Sequence, residues 1–564
     1  MMMCFRNHAL ASIQALLLGL CSLSCALPLV GQHHWPLWFN SLVPDSGVPQ
    51  LVELGPHVAA STGDCIHVLF STNDPTRYLA WSRSDDAGRT WTPLAPVPIP
   101  LYSSFSSPQM VADGDDLFII TNQLNLGPFG MGVAVSANRG ASWSLRRAPL
   151  QGRPHQVLSI QGAIILDYGG LLFVTTDLAA SWMGPFLVGG WGTGFSGGAI
   201  QLVERAGVLH AVWSAGPVGS SLLYYARSND LGQTWTPTSS VGGPPGSGSN
   251  SVIKLAVGDG WIAVVARDDQ AHWCRHSLDG GNSWSTTMTD PRTANAMYDV
   301  VVDGNSLAMV WWEQGTASRV NFWCLNSMDG GQSWSSAPRL IGPSGTGRFR
   351  HWRAYANRGA FTVLSASEDC WQLPCMSRSI LYGSNDGGQS WSQVAWRPSL
   401  MGIAFPVLVE SQSALFAIWQ YSPWYPFTTA DPQVEFLAGG RSLGGGSAGT
   451  LGLVPGLDVD RMPIFGKPVE LQLRQGLPGA WALLAVGAPR PPVPLFAGLV
   501  TIDPVAQVLL ALQPLSGPAP GSAGFAWNVS SAMLQLDLGY QAFVLDPGAV
   551  GGVACSNGME LRVY

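Results

Sequence analysis

Seven times the chain returns to one pattern, Ser/Thr-x-Asp-x-Gly-x-Ser/Thr-Trp, and a pattern repeated in register constrains a fold more than composition does. The copies are Ser84-Asp86-Gly88-Trp91, Ser136-Asn138-Gly140-Trp143, Thr175-Asp177-Ala179-Trp182, Ser228-Asp230-Gly232-Trp235, Ser277-Asp279-Gly281-Trp284, Ser327-Asp329-Gly331-Trp334 and Ser384-Asp386-Gly388-Trp391. They begin 52, 39, 53, 49, 50 and 57 residues apart, enough for one four-stranded sheet per copy. The expectation is a propeller or array of such sheets.

Each residue type in the box suits a tight turn. The Asp side chain holds backbone N–H groups of the bend. The Gly supplies a positive φ. The Trp returns into the sheet as a buried apolar peg whose indole N–H needs one partner. The boxes are therefore expected to be structural, because a requirement met in every repeat is a requirement of the fold. Asn138 and Ala179 depart from the pattern, and their turns are expected to be weaker.

The pattern resembles the Asp-box (BNR) repeat of sialidases and related propellers over roughly residues 50 to 435. That resemblance implies an all-β propeller and leaves function open, since such families include exo-sialidases, other glycoside hydrolases, sorting receptors and assembly factors. Inner strands begin near Val58, Met110, Val157, Ile200, Ile253, Val300, Ala354 and Val407, one more than the boxes. Eight blades are expected, with seven as the alternative. The eighth lacks a box and needs an early strand, Leu37-Trp38-Phe39-Asn40, to complete it, because a closed ring exposes no strand edge.

The remaining organisation is read from composition. The chain has 564 residues, 46% hydrophobic and 11% charged, with 67 Gly and 41 Pro, which suits many short strands and turns. Arg6, the apolar run Ala9 to Leu20 and Ser24-Cys25-Ala26 predict a signal peptide over 1–26 and export to the periplasm, cell surface or medium. A membrane anchor or a lipidated Cys25 is the alternative; Ser22 stands where a lipobox prefers Leu. The propeller is expected over 34–437, a Gly/Ser linker over 438–450 and a C-terminal β-sandwich over 451–564. The ending around Tyr540 to Pro547 and Cys555-Ser556-Asn557-Gly558 resembles a module of exported proteins from Planctomycetes and related bacteria.

Without residues 1–26 the chain carries 27 basic and 35 acidic residues, a net −8 with no basic cluster. Nucleic acid and anionic membrane are thereby disfavoured as partners. Six cysteines remain in that span, of which Cys370 and Cys375 share a short loop and are expected to form a disulfide. Cys274 and Cys324 are expected as buried thiols. No Cys/His spacing suggests a metal, and no cofactor is expected.

Because the box joins the third and fourth strands, function is expected on the opposite face, built by the 2–3 loops and the crossings between blades. Arg77, Arg267, Arg353, Trp371 and Trp424 are the candidate ligand residues there. Aromatic rings among polar groups suit the CH faces and hydroxyls of a sugar. The family resemblance implies, for a sialidase, three arginines on a carboxylate, a Tyr nucleophile activated by Glu, and an Asp acid/base. Tyr298, Glu313 and Asp268 are the candidates for those roles. The Arg-Ile-Pro motif of the family is absent; the first inner strand reads Gly55-Pro56-His57-Val58-Ala59-Ala60. The reading is a non-catalytic glycan- or protein-binding propeller, with a sialidase-like glycoside hydrolase as the alternative.

Overall fold

The computed structural model describes residues 40–562 apart from 42–57, 63–64, 72–78, 86–89, 94, 98–107, 121–131, 151–153, 191–199, 216–221, 244–251, 268–271, 291–297, 315–318, 347, 358–359, 370–375, 385, 400–402, 411–413, 422–430, 445, 460–467, 496–497, 503–507, 517–519 and 529–536. Two compact units result, one over residues 40–437 and one over 438–563.

The first unit is an all-β propeller. Seven of its sheets are four-stranded, and in each the strands follow one another in chain order. One such sheet is Val252–Gly258, Trp261–Arg267, His272–Ser277 and Ser285–Asp290, antiparallel throughout. The first strands of successive sheets are neighbours, from Val58–Thr62 through Ile403–Glu410, and the last is again a neighbour of the first. Ile403–Glu410, Ala414–Tyr421 and the start of Asp431–Gly444 follow the seventh box, and Asn40 pairs there with Val434.

The core lies between consecutive sheets. Val212, Leu223 and Tyr225 of one sheet pack with Ile253, Val264 and Trp273 of the next. The strand sequences explain this: Trp261-Ile-Ala-Val-Val-Ala266 is apolar at every position because both faces of the sheet are covered.

The box turns form as a single hydrogen-bonded unit. At the fifth box the Ser277 hydroxyl donates to Asp279 Oδ1 at 2.8 Å and accepts from the Gly281 N–H at 2.9 Å. Asp279 also accepts from the Ser283 N–H at 2.9 Å and from its hydroxyl at 2.6 Å. The box glycines 140, 232, 281, 331 and 388 have φ between 80° and 91°. Their second role is proximity: a Cβ on Gly281 would lie 2.1 Å from the Tyr225 ring of the preceding sheet.

Two expectations about the boxes need correction. The box tryptophans are half-buried rather than fully buried; the rings of Trp284, Trp334 and Trp391 pack against clusters shared by two consecutive sheets and stay open on their outer side. Trp284 meets Tyr225 edge-on, and its indole donates to the Gly281 carbonyl at 3.1 Å. The departures at Asn138 and Ala179 keep the turn bonds, with Ser142 N–H to Asn138 at 2.8 Å and Ser181 N–H to Asp177 at 2.9 Å. The cost at Ala179 is conformational, since it takes φ 56° with a Cβ present.

In the second unit Gly456–Val459, Pro468–Gly476 and Gly521–Asn528 form one sheet. Trp481–Gly487, Val508–Pro514, Asp537–Leu545 and Val553–Arg562 lie in another. Leu471, Leu473 and Phe525 of the first share an apolar core with Leu484, Tyr540 and Leu561 of the second. Of the Gly/Ser linker expected over 438–450, the part up to Gly444 is strand, its residues 439–444 pairing with Arg562–Gly558. The glycines leave the backbone free to adopt the ladder, which satisfies their polar groups better than solvent-exposed coil.

Candidate functional site

The topology assigns every turn to one of two faces. Box turns and 1–2 turns share a face: the Arg139 N–H donates to the Asp115 carbonyl at 2.9 Å, and the Gly330 N–H to Asn305 at 2.8 Å. The 2–3 turns and the segments entering each first strand lie on the other.

Of the candidate ligand residues, Arg353 is described in full. It is exposed on the strand Arg348–Asn357, and its Nη1 donates to the Trp352 carbonyl at 3.4 Å. Arg267 is placed by its backbone as the last residue of Trp261–Arg267, opposite Val252 and His272. Arg77, Asp268, Trp371, Trp424 and the Cys370–Cys375 pair lie outside the described residues.

Tyr298 and Glu313 stand on adjacent strands of one sheet, Tyr298 opposite Trp311. Their polar atoms are engaged elsewhere. The Tyr298 hydroxyl is buried and donates to the Val265 carbonyl of the preceding sheet at 3.2 Å. Glu313 accepts from the Trp311 indole at 3.0 Å. His272 packs edge-on against the Tyr298 ring.

Arg353 belongs to a set that only the register reveals. Gln109, Gln156, Gln201, Lys254, Asp299 and Arg353 each stand fifth from the end of a first strand. These strands sit side by side, so the set forms one level around the inner edge of the sheets. Gln109 donates to the Pro154 carbonyl at 3.0 Å, and Gln156 accepts from the Leu202 N–H at 2.8 Å. Gln201 accepts from the Leu255 N–H at 2.7 Å, and Lys254 pairs with Asp299 at 2.8 Å. Each staple links one sheet to the next. At Arg353 the described bond is to its own strand, and the guanidinium reaches solvent.

The same face carries a carboxyl that belongs to no sequence motif. Asp167 ends the strand Ala163–Asp167 at the 2–3 turn Asp167-Tyr168-Gly169-Gly170. Its Oδ1 accepts from the Gly170 N–H at 2.7 Å, while the buried Oδ2 has no partner among the described residues. Burial raises its pKa to about 6, against the opposing pull of the Gly170 N–H and of His155. His155 enters the sheet beside it, donating its N–H to the Asp167 carbonyl at 2.7 Å. Gly169 takes φ 73°, which is why the turn closes on glycine, and a Cβ there would also meet the His155 ring at 3.3 Å. Burial pushes the Tyr168 phenol up to about 12. The readable signal was Asp-Tyr-Gly-Gly between two five-residue apolar strands, a turn too short to resemble a loop with a function.

No family model matches the sequence, and no curated protein is similar to it. Solved structures similar in fold include an ulvan lyase of family PL25, at 10% identity over 69% of this chain and 94% of that one, with a TM-score of 0.35. A GH74 enzyme of Niastella koreensis is similar at 12% identity over 91% of each chain, with a TM-score of 0.33. The leech intramolecular trans-sialidase is similar at 14% identity over 71% of this chain and 70% of that one, with a TM-score of 0.29. At these values the likeness transfers no substrate and no mechanism.

Proposed function

We propose that the protein is an exported Asp-box propeller of eight blades, carrying a C-terminal β-sandwich, that binds glycan or protein without catalysis on the face opposite the boxes. The observation carrying this reading is the state of the hydrolytic candidates: Tyr298 is buried with its hydroxyl on the Val265 carbonyl, and Glu313 holds the Trp311 indole. A nucleophile needs its base and an open approach, and neither group offers them. Arg353, exposed at the level where the other sheets are stapled, is the described cation best placed to meet a ligand carboxylate or hydroxyl. Arg267, Trp371, Trp424 and Arg77 belong to the same proposed surface.

One observation favours the second reading, a glycoside hydrolase. Asp167 holds its proton up to about pH 6, as a general acid must. A glycan array run beside a panel of fluorogenic glycosides separates the two. Binding without turnover supports the first reading. Turnover abolished by Asp167→Asn in a variant that melts no lower than wild type replaces it with the second.

A further inference from the structure

No further inference is drawn: the strongest candidate, the outward apolar patch on the second unit's sheet where Trp481 and Leu512 stand 47% and 51% exposed on the paired strands Trp481–Gly487 and Val508–Pro514, carries nothing because nothing in the structure shows what covers it.

Discussion

Asp279 and Asp167 each close a turn between neighbouring strands of a four-stranded sheet, and their environments are opposite. Asp279, on the box face, is surrounded by donors: the Ser283 hydroxyl, the Ser283 N–H and the Ser277 hydroxyl hold its carboxyl well below the ordinary range. The equivalent Asp177 is held at about 2, first by the Ser181 hydroxyl. Asp167, on the other face, has one oxygen satisfied and the other buried, and rises to about 6. The box face thus spends its carboxylates on geometry, while the opposite face keeps one in a costly state. Residues that satisfy every bond locally are fold; residues left unsatisfied are where function is sought.

The comparison breaks most visibly at the box glycines. Gly281→Ala is expected to cost ~3 kcal/mol or more, from the left-handed backbone together with the overlap on Tyr225. A chemical denaturation curve checks this; a loss under ~1 kcal/mol would mean that neighbouring sheets yield easily at the box.

The next largest effect has a pH signature. The folded pKa of Asp167 is raised, so its protonated form is the one the fold prefers. No cost is present below the unfolded value near 4; the cost grows as pH rises and is complete above about 6. Asp167→Asn keeps an Oδ1 acceptor for Gly170 and removes the ionisation. It is expected to stabilise the protein by ~2 kcal/mol at pH 8 and by nothing at pH 4. The box carboxylates run the other way: their depressed pKa values contribute stability above pH 4 that is lost as pH falls toward 2. Unfolding measured between pH 2 and pH 8 should therefore show Asp279→Asn losing its destabilising effect as the acid limit is approached.

The smallest expected change sharpens the box side. Ala179 occupies the glycine position at φ 56°, and Ala179→Gly should add ~0.5–1 kcal/mol, the relief of left-handed strain less the entropy of a new glycine. A thermal melt that does not rise would show that the third box has relaxed by other means.

The boxes were legible in the sequence because their bonds are local. Ser277, Asp279, Gly281 and Ser283 contact one another within six residues, so spacing alone carries the turn. The half-burial of Trp284 was not, since it depends on Tyr225 in the preceding sheet. The staples Gln156 to Leu202 and Gln201 to Leu255 were also hidden, because 46 and 54 residues separate the partners and the glutamines have no shared neighbours in sequence. On the candidate face, Arg353 was legible as a cation on the side opposite the boxes and Glu313 through the family resemblance, but the shared level of Arg353 with Gln109, Gln156, Gln201, Lys254 and Asp299 was not. Asp167 was missed because its meaning lies in burial, which no pattern displays.

If the box face carries stability and the opposite face recognition, a double readout on Arg353→Ala and Trp284→Ala separates the two. Both variants are measured for melting temperature and for binding to whichever glycan the array returns with wild type. Arg353→Ala should keep the wild-type melting temperature and lose ~1 kcal/mol or more of binding, while Trp284→Ala should melt lower and bind as wild type while folded. Undiminished binding by Arg353→Ala, together with a Trp284→Ala variant that melts as wild type and no longer binds, would contradict the account.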